Sequence, residues 1–446
     1  MDLYQERSDR PLDVAVVGGG ISGLSAAWLL SKRHTVTLIE AETRIGGHAN
    51  TVAAADTAVD TGFIVYNEPC YPNLTALFRH LSVPTKASDM SFAVSLDGGR
   101  LEYAGTDLFG LFAQPVNLVR PRFWSMLRDL LRFYREAPRD AARVGALDLG
   151  AYLDAGGYGA AFRDDHLLPM AAAIWSAAPA DMKSYSAAAF IRFCENHGLL
   201  RIKDRPVWRT VDGGSRDYVR RLLADAAVTV ESGQPVRRVR RTAEGVEIVR
   251  GGETRRFDHV VLATHADESL RLLADPSVDE RRLLSAFPYT SNRAVLHSDS
   301  AVMPKRRRVW ASWNYVARSG DETRRVEVTY WMNRLQGLDD RTPLFVTLNP
   351  AREPRPETVL WSGSYDHPAF DVASAAAQKS LWSLQGRRNT WFCGAWFGAG
   401  FHEDGLQSGL AVAEQLGGIR RPWRVEDESG RIHVGPAPTT RQLAET

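Results

Sequence analysis

The apolar residues of this chain fall into several local rhythms. Val14, Ala15, Val16 and Val17 form a short unbroken run, the pattern of a strand buried on both faces of a parallel sheet. After Ile21, the segment SGLSAAWLLSK has the apolar spacing of a helix packed on that sheet, and a second strand, HTVTLIE, ends in Glu40. Farther on, NLTALFRHL predicts a helix and SFAVSLDGGRLEYAG a hairpin around Asp97, Gly98 and Gly99. From Val119 the apolar positions Phe123, Leu127, Leu130 and Tyr134 recur near helical period, with Arg128, Arg132 and Arg135 off that stripe. A basic amphipathic helix of this kind, beside a Phe-Gly-Leu-Phe loop, can lie in a bilayer interface or pack as an ordinary surface helix. Residues 145–205 are predicted mainly helical, with His197 as a C-terminal helix residue facing the macrodipole. VTVESGQPVRRVRRTAEGVEIVR alternates like an antiparallel strand pair, and VWASWNYVA, RRVEVTYWMNRLQ and PLFVTLNP have the composition of strands in a mixed sheet.

A chain of 446 residues exceeds the size at which one core keeps growing, so two domains are expected. Hydrophobic and charged contents of 44% and 24% are those of an ordinary globular enzyme, and a net charge of +2 gives no reason to expect a nucleic-acid partner. Only six of the 55 basic residues are Lys, so clusters of Arg carry less meaning here than elsewhere. Three scattered cysteines, Cys70, Cys194 and Cys393, give no basis for a disulfide framework or a metal site and fit a reducing compartment. The opening residues lack the apolar centre of a signal peptide, and no run approaches the ~20 apolar residues of a membrane span. A cytoplasmic protein is expected, with peripheral membrane association left open.

The chemistry begins between the first strand and helix. Gly18, Gly20 and Gly23 stand as G-x-G-x-x-G, the spacing of a tight turn, a close pyrophosphate approach and a close helix–strand contact. The phosphates would sit at the helix N-terminus, by Ile21 and Ser22, and Glu40 ends the second strand where a carboxylate can accept both ribose hydroxyls. All of this lies in register within about 30 residues, which marks a dinucleotide site and favours FAD or NAD over a 2′-phosphorylated cofactor.

The stretch EAETRIGGHANT then resembles the E-x3-R-x-G-G-R signature of the FAD-dependent amine oxidase and phytoene desaturase superfamily, with His48 in place of the final arginine. The resemblance continues in VDTGFIVYN, in the glycine pair of WRTVDGGSRDYV, in RRFDHVVLATHAD and in NTWFCGAWFGAGFHEDGLQSG. GGHANTV, VDTGFIVYNEPCYPNL and GFHEDGLQSG are most similar to a bacterial group of amine-oxidase-like flavoproteins, and to the flavin oxidase region in front of plant cyclopropane fatty acid synthases.

What the resemblance implies is an α/β fold: a Rossmann-like FAD-binding domain of amine oxidase type, with a second α+β substrate domain on a mixed sheet. The FAD-binding domain is expected over 1–72, 206–268 and 386–421, the substrate domain over 73–205 and 269–385, and a loose tail over 422–446. Ala41, Arg44, Gly46, Gly47 and His48 would extend the diphosphate cradle, and Asp60, Gly62 and Phe63 would approach the flavin. Val236 would meet the adenine, and Thr264 would stand at the crossing to the substrate domain. Gly394, Asp404, Gly405 and Ser408 would line the ring, with a helix N-terminus at its pyrimidine edge, where the reduced ring carries negative charge. LWSGSYDHPAF has no cysteine where covalent members carry theirs, so the FAD is expected to be non-covalent.

The expected activity is FAD-dependent hydride transfer from a substrate C–H bond to flavin N5, desaturating or oxidising an apolar, fatty acyl substrate, with the protein supplying position and dryness. His402, Glu403 and His48 are the candidate catalytic residues. Two alternatives stand beside this one: an amine oxidase producing imine and hydrogen peroxide, and a non-catalytic flavoprotein that scaffolds a lipid-modifying methyltransferase. PYTSNRAVLHSD shows no counterpart of the lysine found in many amine oxidases.

Overall fold

The computed structural model describes residues 10–54, 56–318, 320 and 326–436. Its first layer is a five-stranded parallel sheet whose central strand, Asp13–Val17, pairs with Thr35–Glu40 on one side and His259–Leu262 on the other. Val228–Ser232 and Thr390–Phe392 form its two edges. Parallel strands need crossovers, and Ile21–Leu30 supplies the first; all ten of its residues are buried, as befits a helix without a polar face. It lies between the sheet and the last helix, His402–Gly417, where a Cβ on Gly409 would come within 2.2 Å of Ser22 O and Ser25 Oγ. Small residues therefore let the two helices touch backbone to backbone.

The second layer is a seven-stranded mixed sheet, in the order Val359–Pro368, Tyr289–His297, Phe345–Leu348, Val328–Trp331, Trp313–Ala317, Phe92–Leu96, Leu101–Ala104. Trp313–Ala317 and Phe92–Leu96 run parallel and the other pairs antiparallel. The hairpin turn falls at Asp97, Gly98 and Gly99, all at positive φ. Helices Pro121–Asp140, Leu149–Ala155, Leu168–Trp175 and Ala187–Asn196 build a separate core around Phe133, Phe162 and Phe190 beside this sheet.

Four expectations change. The helix Pro72–His80 follows the first domain in packing, because Leu74, Leu77 and Phe78 enter the same core as the parallel sheet; so do Leu283, Leu284 and Phe287. Val228–Ser232 is not half of an antiparallel pair: it joins the parallel sheet, and the antiparallel partners are Arg238–Thr242, Gly245–Arg250 and Glu253–Phe257. His197 caps its helix with Nδ1 against Phe193 O at 2.9 Å, but burial lowers its pKa to about 3, so it brings no charge to the macrodipole. The tail is packed as far as it is described: Trp423 stacks on Trp28 at 5.6 Å, Ile432 is buried, and Arg431 forks onto Asp404. Residues 437–446 lie outside the described residues.

Candidate active site

One cavity of about 1690 Å³ runs from the carboxyl ends of the parallel strands, at Val17, Glu40, Ala263 and Gly394, into the space between the mixed sheet and the helices of the second layer. The crevice at the strand ends is where open α/β sheets bind ligands. A pocket for one small ligand is roughly 300–1,000 Å³, so this volume has room for a dinucleotide and a substrate together.

At the sheet end the walls are backbone. Gly18, Gly20, Ile21 and Ser22 line the cavity, and a Cβ on Gly20 would meet no protein atom within 4 Å, so its Cα faces open space. Gly23 is turned away, and its own Cβ would lie 1.9 Å from Gly18 O, so it sets the helix–strand contact. Glu40 Oε2 accepts the Gly19 N–H at 2.6 Å and Oε1 the Glu42 N–H at 2.9 Å, holding the carboxylate at the cavity wall. Ala41 and Arg44 line the same wall; the Arg44 guanidinium donates to Gly47 O at 2.9 Å and Ala49 O at 3.2 Å. Gly46 does not reach the cavity, whereas Gly47 does, 3.0 Å from Gly20 Cα at its missing Cβ. Val236 and Thr264 line it from the other side, and Thr264 O accepts Trp396 Nε1–H at 3.1 Å.

At the middle stand aromatic and imidazole rings. Phe63 stacks on His402 with centroids 3.7 Å apart, and His402 Nε2 meets Tyr218 OH at 2.8 Å. Burial lowers His402 to about 3, so it is neutral near pH 7. His48 lies 5.0 Å from the ring of Tyr365 and 5.3 Å from His367, and burial, then His367, holds its pKa well below the usual imidazole value. Tyr365 OH accepts from Asn50 Nδ2 at 2.9 Å and meets Thr61 Oγ1 at 2.7 Å, which fixes the phenol. Asn292 spends its carbonyl on Asn349 Nδ2 and presents Nδ2 to His367 Nδ1 at 3.0 Å. That makes His367 the Nε2–H tautomer.

Several expected residues are placed elsewhere. Glu403 does not line the cavity; its carboxylate accepts from Asn73 N and Nδ2, Leu74 N and Gln407 Nε2, joining the last helix to Pro72–His80. Asp404 also points away, to Arg431 and the Phe401 N–H. Gly405 packs against Ser22, where its Cβ would lie 2.8 Å from Oγ, and Ser408 Oγ accepts Gly394 N–H at 3.0 Å. Asp60 is buried behind the wall, accepting from Thr51 Oγ1, Ser215 N and Oγ, and Gln336 Nε2, with its pKa raised to about 6 by burial. Each of these side chains follows a partner distant in sequence. Gly62, Phe63, Gly394, His48 and His402 do line the cavity.

Sequence reasoning missed Tyr365, His367, Asn50 and Thr61. Tyr365 and His367 are two apart on the strand Val359–Pro368, hence on one face, and that spacing was available as a signal.

A dinucleotide cradle on a parallel sheet, facing a mixed-sheet domain across one long cavity, defines a two-domain flavoprotein oxidoreductase. Residues 21–343 match the family described as flavin containing amine oxidoreductase, and the chain belongs to that family, whose cofactor is FAD. A Mycobacterium tuberculosis protein bearing the name flavin-containing monoamine oxidase AofH is 27% identical over 276 residues, 59% of each chain, so the match spans under two thirds of that relative. Among solved structures, a CLA-producing fatty acid isomerase from P. acnes superposes with a TM-score of 0.67 at 16% identity, covering 92% of this chain and 99% of that one. Cyclohexylamine oxidase from Brevibacterium oxydans does so with 0.63 at 17% identity, covering 91% and 100%. The open Cα of Gly20 and the anchored carboxylate of Glu40 fit such a cofactor. None of the three cysteines lines the cavity.

Proposed function

We propose that this flavoenzyme removes a hydride and a proton from adjacent carbons of an apolar, fatty acyl substrate, leaving a C=C bond. One observation carries the reading. The cavity wall contributed by residues 107–208 holds apolar side chains such as Leu127, Leu130, Met170 and Ile174, together with Arg128 and Arg205, and its one carboxylate, Asp107, is engaged as the cap of the helix Leu108–Leu111 through the Gly110 N–H. An alkylammonium substrate would meet two arginines against one helix-capping carboxylate there, whereas an acyl chain finds apolar surface and its carboxylate a counter-ion. The fold is shared with a fatty acid isomerase and with cyclohexylamine oxidase alike, so the lining of the cavity, and not the fold, chooses between acyl and amine substrates.

Bound FAD supplies the two-electron acceptor, which dioxygen or another oxidant would regenerate. The chain's own part is to hold the acyl chain, exclude water and take the proton. Of the three candidate residues, Glu403 lies outside the cavity and His402 is engaged with Tyr218, so we assign proton acceptance to the neutral imidazole of His48. Mass spectrometry of lipids from cells with and without the protein tests the reading. The expected result is a change of two hydrogens in an acyl chain; unaltered acyl unsaturation, with turnover of simple amines by the purified enzyme, refutes it and favours amine oxidation.

A further inference from the structure

Large apolar side chains stand in solvent on one side of the molecule. Leu108, Phe109, Val119, Trp124, Leu131 and Ile202 are 49–81% exposed, in contrast to the buried cores on either side. They come from the short helix Leu108–Leu111, the 3-10 helix Pro115–Val119, the outer face of Pro121–Asp140 and the segment after Ala187–Asn196. Leu108, Trp124, Leu131 and Ile202 also line the active-site cavity, so the patch surrounds the place where that cavity opens. Trp124 Nε1–H donates to Leu118 O at 2.9 Å, which braces the 3-10 helix against Pro121–Asp140.

The same rim is basic. Arg122, Arg128 and Arg135 have side chains 52%, 75% and 63% exposed, and Arg201, Lys203 and Arg205 are exposed beside Ile202. Most of the acids nearby are already engaged: Asp107 caps the helix Leu108–Leu111 through the Gly110 N–H, Asp129 is buried beneath Arg128 and Arg132, Asp165 and, at 3.8 Å, Asp164 take Arg122, and Glu136 takes Arg135, while Asp204 is exposed. Exposed apolar tips ringed by cations are what an interfacial protein presents to an anionic bilayer, with the tips among the acyl chains and the cations at the phosphates.

We propose that this face docks on an anionic membrane surface and opens the cavity directly onto the lipid. The inference stands on the exposed face and not on the substrate reading, so each can fail without the other. The test is flotation of the FAD-loaded enzyme with vesicles of phosphatidylcholine alone and of phosphatidylcholine with phosphatidylglycerol. The wild type is expected to float with the anionic vesicles, at least about tenfold more strongly than with neutral ones. Phe109→Asp/Val119→Asp should abolish flotation while leaving flavin content and melting temperature unchanged, because both side chains lie in solvent and neither lines the cavity. Wild type that stays at the bottom of the gradient with both vesicles overturns the proposal, as does a double variant that floats as well as wild type. A wild-type dimer by light scattering that the double variant breaks, without vesicle binding, would assign the face to a second copy and overturn it equally.

Discussion

The glycine fingerprint makes two different demands, and two alanine substitutions separate them. At Gly23 an added Cβ would stand 1.9 Å from Gly18 O, where real Cβ contacts do not fall below 3.0 Å. The helix Ile21–Leu30 would have to move off the sheet by at least about 1.1 Å, and that helix is buried along its whole length. Overpacking of this kind costs about 1–3 kcal/mol, so Gly23→Ala should unfold at lower urea even without cofactor. At Gly20 the backbone is extended, with φ −75° and ψ 178°, and the added Cβ meets no protein atom within 4 Å. Gly20→Ala should therefore fold as well as the wild-type apoprotein, with its methyl group in the space the pyrophosphate would take. FAD affinity should fall by about tenfold or more, the equivalent of about 1–3 kcal/mol of overpacking against the cofactor. Flavin fluorescence titration of the apoproteins and urea unfolding followed by Trp fluorescence measure both quantities. Wild-type FAD affinity in Gly20→Ala, or equal stability of the two apo variants, would refute the assignment of the two glycines.

Three further outcomes are expected. Arg431→Met should cost about 3 kcal/mol in urea unfolding, since it leaves the buried Asp404 carboxylate with the Phe401 N–H, and Asp404→Asn in the same chain should recover part of that loss; a change below about 1 kcal/mol contradicts it. His166, His197, His367 and His402 are held neutral by burial, with pKa values of about 4, 3, 4 and 3, all below the 6.5 of an unfolded imidazole. The unfolded chain binds these protons first, so stability is retained above pH 6.5 and lost as pH falls toward 4, by up to about 1.4 kcal/mol per pH unit for each group; urea midpoints unchanged between pH 7 and 5 would count against it. Tyr365→Phe should leave Asn50 and Thr61 without their shared phenol and lower kcat about tenfold with FAD still bound, while loss of FAD would show that Tyr365 holds the cofactor instead.

The parallel strands and the fingerprint were legible because each is written in local spacing, a four-residue apolar run and glycines at i, i+2 and i+5, and the mixed sheet because its strands are rich in Trp, Tyr and β-branched residues. The glycines and acids of the last helix were legible only as far as their position. Sequence places Glu403 and Asp404 in the first turn of His402–Gly417, but the directions of their carboxylates are set by Asn73 and by Arg431, and neither partner announces itself along the chain. Gly405 and Gly409 face another helix for the same reason: a small residue records that something comes close, not what does. The segment after residue 421 has few apolar residues and still packs, because Trp423 and Ile432 find ready pockets and Arg431 a buried charge. Tyr365 and His367 share one face of the strand Val359–Pro368, but alternation along a strand does not say which of its faces meets the cavity.

In the proposed reaction a flavin and an acyl chain share one cavity. Anaerobic titration of the FAD-loaded enzyme, followed by flavin absorbance, tests that most directly: long-chain fatty acids should bleach the flavin and leave a desaturated product, while putrescine and cyclohexylamine leave it oxidised. Bleaching by the amines, with the flavin untouched by every acyl compound, would contradict it.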